Sequence, residues 1–281
     1  MREFYEALVD PEFSLVRYGL IAGLMASVAF GVVGTYVVTR RISYLAGAIA
    51  HSVLAGIGAG IYLQKVHGLT WCTPTAGALV CAVLSALAVG LVSLYAKERE
   101  DTVIGAIWAS GMAIGLLFLW KAQSWGDAMV YLFGDIQLIS REDLAFLAGL
   151  DVLIVLVALL WHNKFLAVCF DPEFAALRGV RAKVYYLTLL GLTAVCVVLL
   201  MRVVGIVMVI ALLTLPAAVA GRFARRLWQM MVLAVLFCMA FIVVGFVVCY
   251  PNDLPAGPTI ILVAGAAYLV VAAGGLVWRR A

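Results

Sequence analysis

The chain has 281 residues, of which 66% are hydrophobic and 12% charged, and its formal net charge is +4. Soluble domains run at about 45–50% apolar and about 25% charged, so packing around one water-shielded core is excluded; lipid, which tolerates an apolar outer surface, accounts for the excess. The charge is too small for nucleic acid, and the basic residues fall between apolar runs, where they orient a membrane protein and meet anionic headgroups.

A helix needs roughly 20 apolar residues to cross the hydrocarbon layer. The leader is acidic (Glu3, Glu6, Asp10, Glu12) and carries no cleavable signal peptide pattern. The first run, from Leu15 to Val38, is closed by Arg40 and Arg41. A second runs from Leu45 to Leu63, a third from Thr75 to Ala96 and a fourth from Val103 to Trp120. The stretch from Ala128 to Ile139 is too short to span and reads as re-entrant or interfacial, with Asp127 and Asp135 facing water. The fifth span, from Leu144 to Trp161, carries Asp151, which reads as a satisfied or interfacial carboxylate or else as an intramembrane functional candidate. A polar stretch from His162 to Lys183 follows, and the long run from Val184 to Ala220 is split into two spans at Arg202. Runs from Leu227 to Tyr250 and from Thr259 to Trp278 complete the set.

The expected fold class is therefore all-α, a single polytopic transmembrane domain over residues 1–281 with nine spans, or eight if one run is re-entrant. The positive-inside rule places the basic clusters near residues 40, 97, 180, 224 and 279 in the cytoplasm, with the N-terminus outside and the C-terminus inside. Glycine pairs at small-xxx-small spacing (Gly19 with Gly23, Gly56 with Gly60, Gly111 with Gly115) suit close helix packing in lipid. Pro216, deep in an apolar run, lacks a backbone donor and predicts a bend or break: a gate or a tolerated kink.

Chemistry-bearing residues are few. The six cysteines form no CxxC pair, and most sit in apolar runs as packing residues. Cys72 and Cys249 fall near loops on the same outer side, which leaves a disulfide between them open. His51 stands inside the second span, where an ionisable group is costly and faces a bundle interior or a water-filled path. It reads either as a metal ligand or as a buried, hydrogen-bonded histidine. His67 and His162 fall in predicted loops, and no HExxH motif, P-loop or carboxylate pair is present, so no enzymatic site and no nucleotide binding are expected.

The segment from Phe170 to Val180 predicts a short cytoplasmic helix. Asp171 suits the N-cap, Pro172 the first turn, Glu173 the positive dipole end and Gly179 the stop, with Phe174 and Leu177 on adjoining turns. Such a helix could dock a soluble partner or lie inert at the interface.

Taken together, these segments resemble a family. Arg40-Arg41-Ile42-Ser43-Tyr44 with Ala50-His51-Ser52, Asp101 to Gly105, Phe170 to Gly179, Val204-Gly205-Ile206 through Pro216-Ala217-Ala218, and Leu254 to Thr259 are similar, in order and spacing, to the integral-membrane permease of ABC importers for zinc, manganese or iron. The resemblance implies a type II importer-like helical bundle in the cell inner membrane and a homodimer with a central pathway. It also implies an extracytoplasmic metal-binding protein, and a separate cytoplasmic ATPase that performs the hydrolysis. It makes Asp171, Pro172, Glu173, Phe174, Leu177 and Gly179 a coupling helix and His51 the residue that meets the ion. No cofactor is bound permanently; the divalent metal is cargo.

One departure stands out. Many members of that family carry Asp four residues before the histidine, where this chain has Gly47. Imidazole without carboxylate leans toward zinc over manganese. The alternative reading is an ion-gradient-driven secondary metal transporter, which would ordinarily show several midplane ionisable groups and repeated halves.

Overall fold

The computed structural model describes residues 14–95, 100–124, 131–134, 139, 141–252 and 254–278. Among them are nine helices long and apolar enough to cross a membrane. They are α1 (Ser14–Thr39), α2 (Ser43–His67), α3 (Pro74–Tyr95), α4 (Glu100–Lys121), α5 (Arg141–Phe170), α7 (Ala182–Val204), α8 (Ile206–Phe223), α9 (Leu227–Cys249) and α10 (Ala256–Trp278). The short α6 (Pro172–Leu177) lies between α5 and α7.

Two groups of helices make the bundle. In one, α2 packs along both α3 and α4; in the other, α1 packs against α5, α8 and α9, with α10 laid over α8 and α9. Between them α7 touches α3, α2, α1 and α5. The first group is held by small residues. Gly56 and Gly77 meet backbone to backbone, so that a Cβ on Gly56 would lie 2.1 Å from the Gly77 carbonyl oxygen. In lipid, where apolar area alone does not drive helices together, such close contact supplies the attraction. At the far end Lys65 donates to Ser124, which tethers the end of α2 to the residues after α4.

Several expectations are corrected. The long apolar run divides at Gly205, not at Arg202: α7 continues to Val204 and α8 begins at Ile206. Gly205 adopts φ +80° and ψ 160°, a conformation essentially restricted to glycine. A Cβ there would lie 2.2 Å from the Gly134 nitrogen. An apolar environment does not tolerate a free backbone, so the turn is one residue long and is covered by residues 131–134. The remainder of the short segment from Ala128 to Ile139, apart from residue 139, lies outside the described residues, as do Asp127 and Asp135.

The polar stretch from His162 is not a loop at its start, because α5 runs on to Phe170. Nor does the chain break at Pro216, where α8 continues as helix to Phe223 with the proline buried. The proline removes the donor that would bond the Leu212 carbonyl. Next to that carbonyl, Gly34 of α1 is packed directly against the Leu213 oxygen, so this part of α8 is covered by a neighbouring helix. Cys72 and Cys249 are both free thiols; Cys249 is buried at the end of α9, with Sγ 3.5 Å from the Phe246 carbonyl oxygen.

Candidate functional site

The helix carrying His51 is the most enclosed of the nine, with 78% of its apolar window buried against 22% for α4. Its register against α4 follows from two glycines. A Cβ on Gly111 would meet the Ser52 Cα at 2.6 Å, and one on Gly115 would meet the Leu54 carbonyl carbon at 2.5 Å. That close crossing brings Trp108, one turn before Gly111, onto the face of α2.

There the indole stacks on the His51 imidazole, with ring centroids 4.4 Å apart and planes 21° apart. The same indole covers Gly47, where a Cβ would lie 3.0 Å from Trp108 Cζ3. Tyr44 flanks it at 5.7 Å between centroids. His51 is half-buried, and its Nδ1 is buried with no hydrogen-bond partner. The reading of His51 as a buried, hydrogen-bonded histidine is not supported at that nitrogen. Among the described residues no group of three or more His, Cys, Asp or Glu is placed to hold a metal ion. Nδ1 is enclosed within the chain, so any part His51 plays toward a path falls to the remainder of its half-buried ring.

Asp151 lies about two turns inside its span, on the part of α5 that packs near Ala29 of α1 and Cys196 of α7. Its Oδ1 is buried without a hydrogen-bond partner, while the carboxylate lies beside the Ala29 backbone, well inside the span rather than at its edge. It is not brought to His51 as a ligand pair.

The α6 region is built from its own sequence. Asp171 is extended (φ −148°, ψ 94°) and its side chain accepts from the Phe174 N–H at 2.9 Å; Pro172 occupies the first turn. At the other end Gly179 takes φ +77°. The Gly179 N–H donates to Ala176 O and the Val180 N–H to Ala175 O, each at 3.0 Å, the paired closure of a helix by a left-handed glycine. Only Ala175 is buried. Glu173 is exposed, Phe174 is 53% exposed and Leu177 87%, so two large apolar side chains stand out from a helix that has no apolar need of its own to show them. The Arg178 guanidinium lies 5.0 Å over the Phe174 ring.

Polar contacts also join the helices that flank α6, which packs on α5 and α7. His162, placed in a loop, is in α5 and hydrogen-bonds through Nδ1 to the Tyr36 hydroxyl at 3.1 Å. Arg40 lies 5.6 Å over the Tyr186 ring, and the Tyr186 hydroxyl donates to Ser93 Oγ at 3.3 Å. These contacts tie α5 to α1 and α7 to α3. Trp108 was missed too. Its signal was its spacing of three and seven residues from Gly111 and Gly115, one face of a helix.

Residues 12–275 match the family described as the ABC 3 transport family. A probable metal transport system membrane protein of Chlamydia trachomatis is 38% identical over 250 residues, 89% of this chain and 85% of the relative. A manganese transport system membrane protein of Halalkalibacterium halodurans is 29% identical over 268 residues, covering 93% and 87%. Among solved structures, PsaBC from Streptococcus pneumoniae in complex with Fab superposes with a TM-score of 0.83 at 28% identity, over 96% of this chain and 94% of that one.

Proposed function

The chain belongs to the ABC 3 transport family, and we propose that it is the membrane-spanning permease of an ATP-driven importer for a divalent transition metal. The observation that carries this reading is the family match over residues 12–275 laid on a bundle of nine membrane-length helices. The metal-transport name of the Chlamydia relative supports the cargo.

In this reading two copies form the pathway in the cell inner membrane, and a binding protein delivers the metal from outside. Two ATPase subunits dock on the cytoplasmic face, and alternating access follows their closure. Phe174 and Leu177 supply the apolar contact for the ATPase, and Glu173 the charge. Asp171, Pro172 and Gly179 hold the helix that presents them. The route inward is short: α6 packs against α5 and α7, and α7 packs against α2, the helix of His51. A push on α6 reaches the pathway through one rigid element. His51 meets the ion, with the second His51 of the dimer and water completing the shell. Pro216 shapes α8 without serving as a break.

Imidazole without carboxylate favours zinc; the name of the Halalkalibacterium relative favours manganese. Iron stands third. The test is reconstitution of the permease with its ATPase and binding protein in vesicles, with uptake of the three metals measured in parallel. ATP-dependent accumulation of at least one is expected. Uptake driven by a proton gradient with no ATPase added would overturn the reading in favour of a secondary transporter.

A further inference from the structure

His51 lacks what a ligating histidine ordinarily has. Such a ring donates its second N–H to a carboxylate, carbonyl or water, and that bond fixes its plane and tautomer. Here Nδ1 is buried and unpartnered. What fixes the plane instead is the face of Trp108, 4.4 Å away and within 21° of parallel.

The indole has a second effect on the same face of α2. Residues 44, 47 and 51 share that face, being three and seven apart, and the ring contacts all three positions. A Cβ at position 47 would meet Cζ3 at 3.0 Å and Cη2 at 3.4 Å. A Cβ there already requires the indole to give by a few tenths of an ångström, so a carboxylate-bearing side chain at 47 competes with the ring for the same space. The ring also occupies volume that water would otherwise take beside the imidazole. Carboxylate and water oxygens suit manganese, whereas imidazole suits zinc.

We propose that Trp108 is a positioning and selectivity residue of this pathway: stacked on His51 and seated over Gly47, it holds the imidazole plane and keeps carboxylate and water off that side, favouring passage of zinc over manganese. This rests on the permease reading and names its selectivity device.

The experiment uses the complete transporter in vesicles, with zinc and manganese uptake measured in competition. Relative to the unaltered protein, Trp108→Ala lowers the zinc-to-manganese ratio by roughly tenfold, the lower end of what loss of a ligand-orienting group costs. Adding Gly47→Asp to Trp108→Ala lowers it further, because the vacated space now holds a carboxylate. Trp108→Phe, which keeps a flat ring over His51, restores most of the ratio. Where Trp108→Ala fails to assemble, Trp108→Leu keeps much of the bulk without the flat face and lowers the ratio through the lost stacking alone. A ratio unchanged in the alanine or leucine variant and in the double variant overturns the proposal while leaving the permease intact. Absence of ATP-dependent uptake of any metal by the unaltered complex overturns the permease reading itself.

Discussion

The α6 helix and the His51 face of α2 differ in how they are built. Everything that starts and stops α6 lies between Asp171 and Gly179: a side-chain cap, a proline in the first turn and a left-handed glycine. Its outward residues are largely exposed, with Arg178 laid over the Phe174 ring, and only Ala175 is buried. The His51 face owes nothing to neighbours in sequence. It exists because Gly111 and Gly115 let α4 approach α2 closely enough to lay an indole on an imidazole. A surface that works by meeting another protein can be specified locally, because its partner supplies the rest. A surface that works on a small ion must be assembled within the bundle, from helices far apart in the chain.

If that contrast is right, the two regions fail in different ways. The largest effect is expected from Glu173→Arg. Charge reversal in an exposed first turn costs about 1 kcal/mol of local stability, too little to unfold the bundle, yet ATP-driven uptake should be lost. Normal uptake by that variant would remove α6 from coupling. Next comes Gly111→Leu, which drives a side chain into the Ser52 backbone. Overpacking of this kind costs about 1–3 kcal/mol, and here neither helix backbone can give. A lower thermal midpoint should accompany lost transport, and an unchanged midpoint would show that α4 is not seated by this contact.

His51→Ala should be milder, with uptake at limiting metal falling roughly tenfold while dimer assembly and ATPase binding persist. Uptake unchanged across metal concentrations would take His51 out of the pathway. The smallest effect is expected from Asp171→Ala. Losing an N-cap costs about 1 kcal/mol, enough to fray α6 and weaken ATPase affinity several-fold without abolishing transport. Rescue by Asp171→Asn, which can still accept from the Phe174 N–H, would separate the cap from the charge.

The sequence made some of this legible and not the rest, for physical reasons. Run lengths gave nine spans because hydrophobic thickness is a one-dimensional constraint. Capping chemistry gave α6 because it is local. Arg202 is the strongest interruption of hydropathy in the long run, but a glycine-only backbone conformation at Gly205 makes the turn. Polar residues end a hydropathy window at His162, yet the helix runs on and His162 hydrogen-bonds to Tyr36 from within α5. Pro216 leaves a gate and a tolerated kink equally open in the sequence, and the helix runs on through it with the proline buried. Trp108 looked like one aromatic among many. What it does depends on which residue of α2 faces it, and that register is tertiary.

The most direct test of the account measures ATP hydrolysis and metal uptake together in vesicles holding the complete transporter. The unaltered protein, His51→Ala and Glu173→Arg are compared. His51→Ala is expected to keep ATPase association and hydrolysis while uptake at limiting metal drops. Glu173→Arg should still receive metal from the binding protein but lose the link between hydrolysis and uptake. Identical defects in the two variants, or none in either, would contradict a division of labour between a pathway at His51 and a coupling surface at α6.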